Sequence, residues 1–408
     1  MATRTVDGHR PAPGTHDPEL LAELEHAVTL LADIDRPSAS EGETRAALWI
    51  ADALKAHGLE PRVEAERAHG TYWWPVGLLN AAALWSLRLA RRGRRKRAFA
   101  LAAVATAALV DDLDHRHRWF RRAALPHKPT HNVTAVAGDA DAARTLVVVA
   151  HHDAAHSGAI FDPGLPRALQ ARFPETYDKA IFHPPLLWLT VLGPLLAIWT
   201  AVSGGRRAYR WARFFTVGTI LGMADIGRRP AVPGANDNLT GVAVLLGLAR
   251  RLREQPVRGL RVLLVSVGAE ESFSEGMAAW GRRHFPDLPR DASWVIAVDS
   301  VGSPTLCAPI SEGFLRPYDY DPALRRHAIE AAGAHGVDIE ADFRFSFATD
   351  AQIAHHAGYR SMMLGSVDEL RSPSNYHWPS DTADNVDYDT VGEAVTVVDG
   401  IIRRLAAA

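Results

Sequence analysis

Three short runs of the chain, at residues 145–150, 260–267 and 294–298, are apolar at nearly every position and rich in Val, Leu and Ile. A strand with one wet face alternates apolar and polar side chains, so continuous runs predict strands covered on both faces, as in a parallel sheet between helices. The sequence between the runs can supply that cover. After Gly241, residues Val242, Leu245, Leu246, Ala249 and Leu252 recur at helical spacing. Each run also stops at polar residues: His151-His152-Asp153, Gly268-Ala269-Glu270-Glu271 and Asp299. The carboxyl ends of parallel strands are where such sheets bind ligands. The expectation is an α/β protein, a three-layer sandwich around a mostly parallel mixed sheet.

Punctuation along the chain places the other elements. Asp17-Pro18-Glu19 has the cap, first-turn proline and early acid of a helix start, and a second helix is expected from Ser40 to about His57, closed by Gly58. Strands are expected at 61–66, 132–136 and 361–364, and helices after Asp321-Pro322, at 351–356 and at 391–405. Two stretches break this pattern. Apolar segments 72–87 and 98–110 flank residues 88–97, which hold seven Arg or Lys, and apolar segments 184–202 and 214–226 flank a second basic cluster at 206–213. Each stretch reads as a hydrophobic helical hairpin inserted into the sandwich. The expected organisation is a flexible N-terminus at 1–16, catalytic segments at 17–71, 127–159 and 231–408, and hairpins at 72–126 and 160–230.

The polar strand ends and turns offer His151, Asp153, Asp237, Glu270, Glu271, Asp299 and His377. Imidazoles and carboxylates without a thiolate suit Zn²⁺ or a similar first-row ion, and a surplus of carboxylate suits two ions sharing one of them. Asp237 is the candidate shared ligand. Small residues around it in Pro233-Gly234-Ala235-Asn236-Asp237-Asn238 let the backbone bend, and the helix that follows gives the loop a rigid support. Adjacent glutamates beyond a strand can diverge, so that one of Glu270 and Glu271 binds metal and the other acts as general base toward a metal-activated water. Taken singly, each of these residues has a plain reading as a helix cap, turn residue or solvated helix start. Their joint order gives the site.

That order resembles the zinc aminopeptidases of peptidase family M28. The shared features are a His-x-Asp after a strand (His151 to Asp153), a Gly-Ala-x-Asp-Asn loop (Gly234 to Asn238), the Glu270-Glu271 pair, Asp299 ending a later strand, and Tyr376-His377 followed by Asp381-Thr382. The resemblance covers roughly residues 17–70, 132–159 and 233–408. It implies two zinc ions, one held by His151, Asp237 and Asp299, the other by Asp237, Glu271 and His377. Glu270 would be the base, and Asp153 would orient His151. It further implies a cis peptide bond at Asp237–Asn238 and an exopeptidase that removes N-terminal residues from peptide substrates. Two departures stand out. His151 and Asp237 lie 86 positions apart, and the Glu pair continues as Ser272-Phe273-Ser274. Glu-Glu followed by a small residue and Phe is similar to glutaminyl cyclases, single-zinc enzymes of the same fold, which are the alternative. A receptor-type binding domain on this fold is a third reading, opposed by the complete set of ligands and base.

Basic and acidic residues nearly balance, 45 against 47, so no net charge points to nucleic acid. The single Cys307 excludes an internal disulfide. If all four apolar segments crossed a bilayer, every catalytic segment would fall on one side and both basic clusters on the other. Trp73, Trp74, Trp188, Trp199 and Trp211 lie near segment ends, where interfacial aromatics belong. The expectation is therefore a membrane protein with its catalytic domain on the outer face. The alternative is a cytoplasmic enzyme with hydrophobic arms that pack together, on a partner chain or in one leaflet only.

Overall fold

The computed structural model describes residues 17–175 and 187–408. Its strands are β1 (Arg62–Ala68), β2 (Lys128–Gly138), β3 (Thr145–His151), β4 (Arg261–Val267), β5 (Ser293–Val298), β6 (Thr305–Cys307), β7 (Ser311–Glu312), β8 (Tyr318–Asp319), β9 (Ile339–Glu340) and β10 (Arg360–Val367). Eight of them form one mixed sheet in the order β1-β2-β4-β3-β5-β10-β6-β9, while β7 and β8 pair separately. The continuous apolar runs are its centre: β3 is parallel to β4 and β5, and β5 to β10. The register pairs His151 with Val267 and Val149 with Ala297. All three polar strand ends therefore emerge at one edge. The weakly predicted first strand and its partner β2 run antiparallel, as do β2 and β4.

The helices are α1 (Pro18–Ala32), α2 (Glu41–Ala56), α3 (Trp73–Arg91), α4 (Arg95–Leu113), α5 (Trp119–Ala124), α6 (Gly164–Arg172), α7 (Trp188–Ser203), α8 (Arg206–Ile226), α9 (Thr240–Glu254), α10 (Glu275–His284), α11 (Pro322–Ala334), α12 (Asp350–His356) and α13 (Tyr388–Ala407). The caps read from sequence close their helices. Asp17 accepts from the Glu19 N–H, Ser40 from the Glu43 N–H and Asp321 from the Leu324 N–H. Helix α9 packs on β3 and β4 and, with α1, α11 and α13, forms one helical layer; α10 and α12 pack together, α10 on β1, β2 and β4 and α12 on β10, β5 and β3. The main core joins both sets of helices to the sheet through residues such as Leu24, Ile50, Val148, Leu245, Val265, Trp280 and Ile401, all at most 1% exposed.

Helices α3, α4, α7 and α8 pack on one another. They have small cores of their own, one built on Tyr72, Val76, Leu109, Leu113, Val191 and Ile226, the other on Ala83, Leu87, Ala102, Ala197 and Ala212. The first reaches the sandwich through Phe273, which stacks on Tyr72 at 5.1 Å between ring centroids. Two expectations need correction. The second basic cluster, 206–213, is not a loop but the first turns of α8, and only residues 92–94 of the first cluster lie between helices. The expected membrane spans also fail: among the described residues no helix is long and apolar enough to cross a membrane. The reasons are visible in three of the helices. The 16 residues of α7 reach only about 24 Å at 1.5 Å per residue, against a hydrocarbon core of about 30 Å. Helix α8 carries four arginines and Asp225, and α4 carries Arg95, Lys96, Arg97, Asp111 and Asp112. Residues 184–186 of the expected third span lie outside the described residues, as does the N-terminal segment 1–16. A membrane partner thus has no support from these helices.

Candidate metal centre

The ends of β3, β4 and β5 deliver His151, the Glu270-Glu271 turn and Asp299 side by side. Asp237 reaches them from the loop before α9, and His377 from the loop after β10. The backbone here is built for position. Ala269, Ser300 and His377 all have φ between 50° and 54°, a region that non-glycine residues adopt only where the surroundings hold them. The Asp237–Asn238 peptide is cis, as the resemblance implied.

Several hydrogen bonds fix the Asp237 loop. Asp381 accepts from the N–H groups of Asn236 at 2.7 Å and Asp237 at 3.1 Å. Asn238 donates to the Val298 carbonyl and accepts from the Gly241 and Ser300 N–H groups, tying the loop to the end of β5. Fully buried Arg36 donates to the carbonyls of His152, Pro233 and Gly234, and so joins the two strand-end loops.

Within that frame the donor atoms converge. Nδ1 of His151 lies 3.3 Å from the Asp153 carbonyl oxygen and 3.5 Å from its Oδ1, which turns Nε2 toward the site. This Nε2 is 3.2 Å from Oδ1 of Asp237 and 3.8 Å from Oδ2 of Asp299. The other oxygen of Asp237, Oδ2, is 3.3 Å from Nε2 of His377, which is 3.2 Å from Oε2 of Glu271. Asp237 thus belongs to two groups, His151-Asp237-Asp299 and Asp237-Glu271-His377, each with ligand atoms within 4.8 Å of one another. A third such group is His151-Glu270-Glu271. Asp153 does more than orient His151, because its two oxygens also accept the N–H groups of Glu270 and Glu271 at 3.0 and 3.1 Å.

So much buried acid sets the protonation pattern. Burial pushes Glu271 up to about 7 and Asp299 to about 6, and it lifts Glu270 well above the carboxylate range. Burial opposes charge on the imidazoles, yet hydrogen bonds with Asp153 and Asp237 hold His151 well above its usual value. His377, facing Glu271 and Asp237, is raised to about 10. Against burial, the same two imidazoles keep Asp237 below the usual carboxylate range. The pocket asks for positive charge. Its donors suit zinc by type, and Oε1 of Glu271 is buried with no hydrogen-bond partner among the described residues. The residues present fit a metal.

The structure also supplies residues that the sequence reading missed. Ser38 donates to Oδ2 of Asp153 at 2.5 Å. Glu43 accepts from the N–H groups of Ala39 and Ala269 and from the Thr130 hydroxyl, bracing the turn into Glu270. Asp350, 2% exposed and raised to about 7 by burial, adds another carboxyl beside Glu270. Locally Asp350 follows the helix cap Thr349, so only the fold reveals it. Of the remaining histidines, His152 is buried against the Ser266 hydroxyl at 2.8 Å, while His156, His355 and His356 stand in none of the ligand groups.

Residues 217–401 match the model of peptidase family M28. The chain is also similar in structure to an aminopeptidase from Aneurinibacillus sp. strain AM-1, with a TM-score of 0.55 at 13% identity, covering 94% of this chain and 93% of that one. A Bacteroides thetaiotaomicron glutaminyl cyclase bound to N-acetylhistamine gives 0.54 at 14% identity, covering 94% and 97%. The zinc aminopeptidase of Bacillus subtilis gives 0.53 at 13% identity, covering 94% of each chain. A search of curated proteins gave no match. At these identities the structural likeness shows the fold, a mixed α/β sheet flanked by helices.

Proposed function

We propose that this protein, whose residues 217–401 match the model of peptidase family M28, is a zinc-dependent aminopeptidase with a two-metal centre. The observation that carries the reading is Asp237, whose two oxygens face different imidazoles. A carboxylate so placed can serve two ions at once, with His151 and Asp299 completing one set and Glu271 and His377 the other. Bound zinc would supply Lewis acidity toward the scissile carbonyl and toward the attacking water.

The chain's own residues do the rest. Asp153 fixes the tautomer and direction of His151, leaving Nε2 free to coordinate. Glu270 lies outside the two sets, beside the cavity that opens on the site. The Ser274 hydroxyl holds its Oε1 at 2.9 Å. Glu270 takes a proton from the attacking water as the new C–O bond forms, then gives it to the amine nitrogen, whose protonation lets the peptide C–N bond break.

Glu270→Gln should lower kcat on an aminoacyl chromogenic amide by about 10²- to 10⁴-fold, the range of general acid–base catalysis, while metal content stays at the wild-type level. Loss of zinc together with activity would remove Glu270 from the role of base. A glutaminyl cyclase remains the competing reading because of Ser272-Phe273 and the likeness to cyclases. It leaves the His151-Asp237-Asp299 group without a use. Cyclisation of an N-terminal glutaminyl peptide in place of hydrolysis would establish it.

A further inference from the structure

Glu270, Glu271 and His377 form the polar end of a cavity of about 360 Å³ whose other walls are almost wholly apolar. Close to the metal groups the walls are aromatic. Phe161 meets the His377 ring edge-on at 4.6 Å, and Tyr376 stacks on it at 3.9 Å. Farther out the wall is α8, which presents Phe215, Gly218, Thr219, Gly222 and Met223. At the rim Ile160, Leu189 and Phe214 are 58%, 46% and 64% exposed, so the apolar lining continues into solvent.

The two glycines matter most. Glycine inside a helix costs about 1 kcal/mol relative to alanine, and here it occurs twice, one turn apart. Among the described residues neither is forced by packing: a Cβ built at Gly218 or at Gly222 meets none of their atoms within 4 Å. On the same helix Thr216 sits tightly under Gly193 of α7, where a Cβ would clash at 2.7 Å. The empty space beside Gly218 and Gly222 is therefore cavity, and it extends the site away from the metal groups. Pockets of about 300 to 1,000 Å³ hold whole small ligands, so the volume exceeds the need of a single small side chain.

We propose that this chamber receives a large aromatic or long aliphatic side chain on the N-terminal residue of the substrate, with α8 setting the accepted length through Gly218 and Gly222. The proposal rests on the aminopeptidase reading for the position of the scissile bond. Chromogenic amides of alanine, norleucine, 2-aminooctanoic and 2-aminodecanoic acid test it. Burying a methylene stabilises by about 0.8 kcal/mol, so kcat/KM should rise about fourfold per added methylene up to the eight-carbon acid. In Gly222→Leu, whose side chain fills the chamber, the ratio of kcat/KM for the ten-carbon substrate to that for alanine should fall at least tenfold. A flat series, or a ratio unchanged by Gly222→Leu, overturns the proposal. If no amide is hydrolysed, the aminopeptidase reading fails separately. The chamber is then read by calorimetric titration with straight-chain alcohols of six to twelve carbons. Affinity that grows with length and drops in Gly222→Leu sustains it, and absence of binding overturns it.

Discussion

Glu270 and Glu271 are neighbours in sequence with different surroundings. Glu271 faces His377 and Asp237, whereas Glu270 is held by Ser274 and opens on the cavity. Divergence of the pair was an expectation from sequence, because neighbouring side chains beyond the end of a strand can point apart. Ser38, Glu43 and Asp350 were not legible, since a serine or acid near a helix start reads equally well as a cap and only tertiary structure brings it to the site. Glu312 is a buried acid of another kind. Its Oε2 accepts from the N–H and hydroxyl of Thr349 at 2.7 and 2.8 Å, and burial pushes its pKa up to about 8. Unfolding returns it to the ordinary carboxyl value of about 4.3. Its contribution to stability is thus full below that value and is lost as pH rises through 8. Glu312→Gln keeps an acceptor and cannot ionise. Relative to this variant, the wild type should lose on the order of 1 kcal/mol or more between pH 5 and pH 9 in urea unfolding. A difference that stays constant with pH would contradict the assignment.

Among the elements, those fixed by continuous apolar runs or by caps were predicted to within a few residues: β3, β4, α1, α2 and α11 are examples. The antiparallel edge and the four-helix layer were less legible. Arginine clusters suggest loops, but on α8 the guanidinium groups can sit on the helix surface, and arginine is a good helix former. Nor does sequence reveal how that layer is anchored. Arg121 of α5, fully buried, makes a two-pronged bond to Asp112 of α4 at 2.7 and 2.8 Å. It also donates to the Ser272 carbonyl at 2.6 Å and lies 3.2 Å from Glu275, which in turn binds His69 at 2.6 Å. One guanidinium therefore ties α4 to the loop that carries Glu270 and Glu271. Arg121→Met leaves Asp112 and Glu275 buried without it and should cost about 3–5 kcal/mol in denaturant unfolding. A loss below about 1 kcal/mol would show that the anchor lies elsewhere.

For the whole molecule, the sheet places ligand-bearing strand ends at one edge while the four packed helices supply an apolar wall beside them. The α/β class followed from the strand pattern. The reading of the hairpins as membrane spans did not survive, because the same apolar residues serve a helix–helix core and a cavity wall. Length and embedded charge distinguish those uses. What unites the scales is the proposed centre, in which Asp237 would serve two ions. The number of zinc ions per chain, from native mass spectrometry of the zinc-loaded protein beside Asp299→Ala, tests it most directly. Two ions are expected in the wild type and one in the variant, which keeps the Asp237-Glu271-His377 group. A single ion in the wild type, or two ions unaffected by Asp299→Ala, would contradict the dinuclear centre.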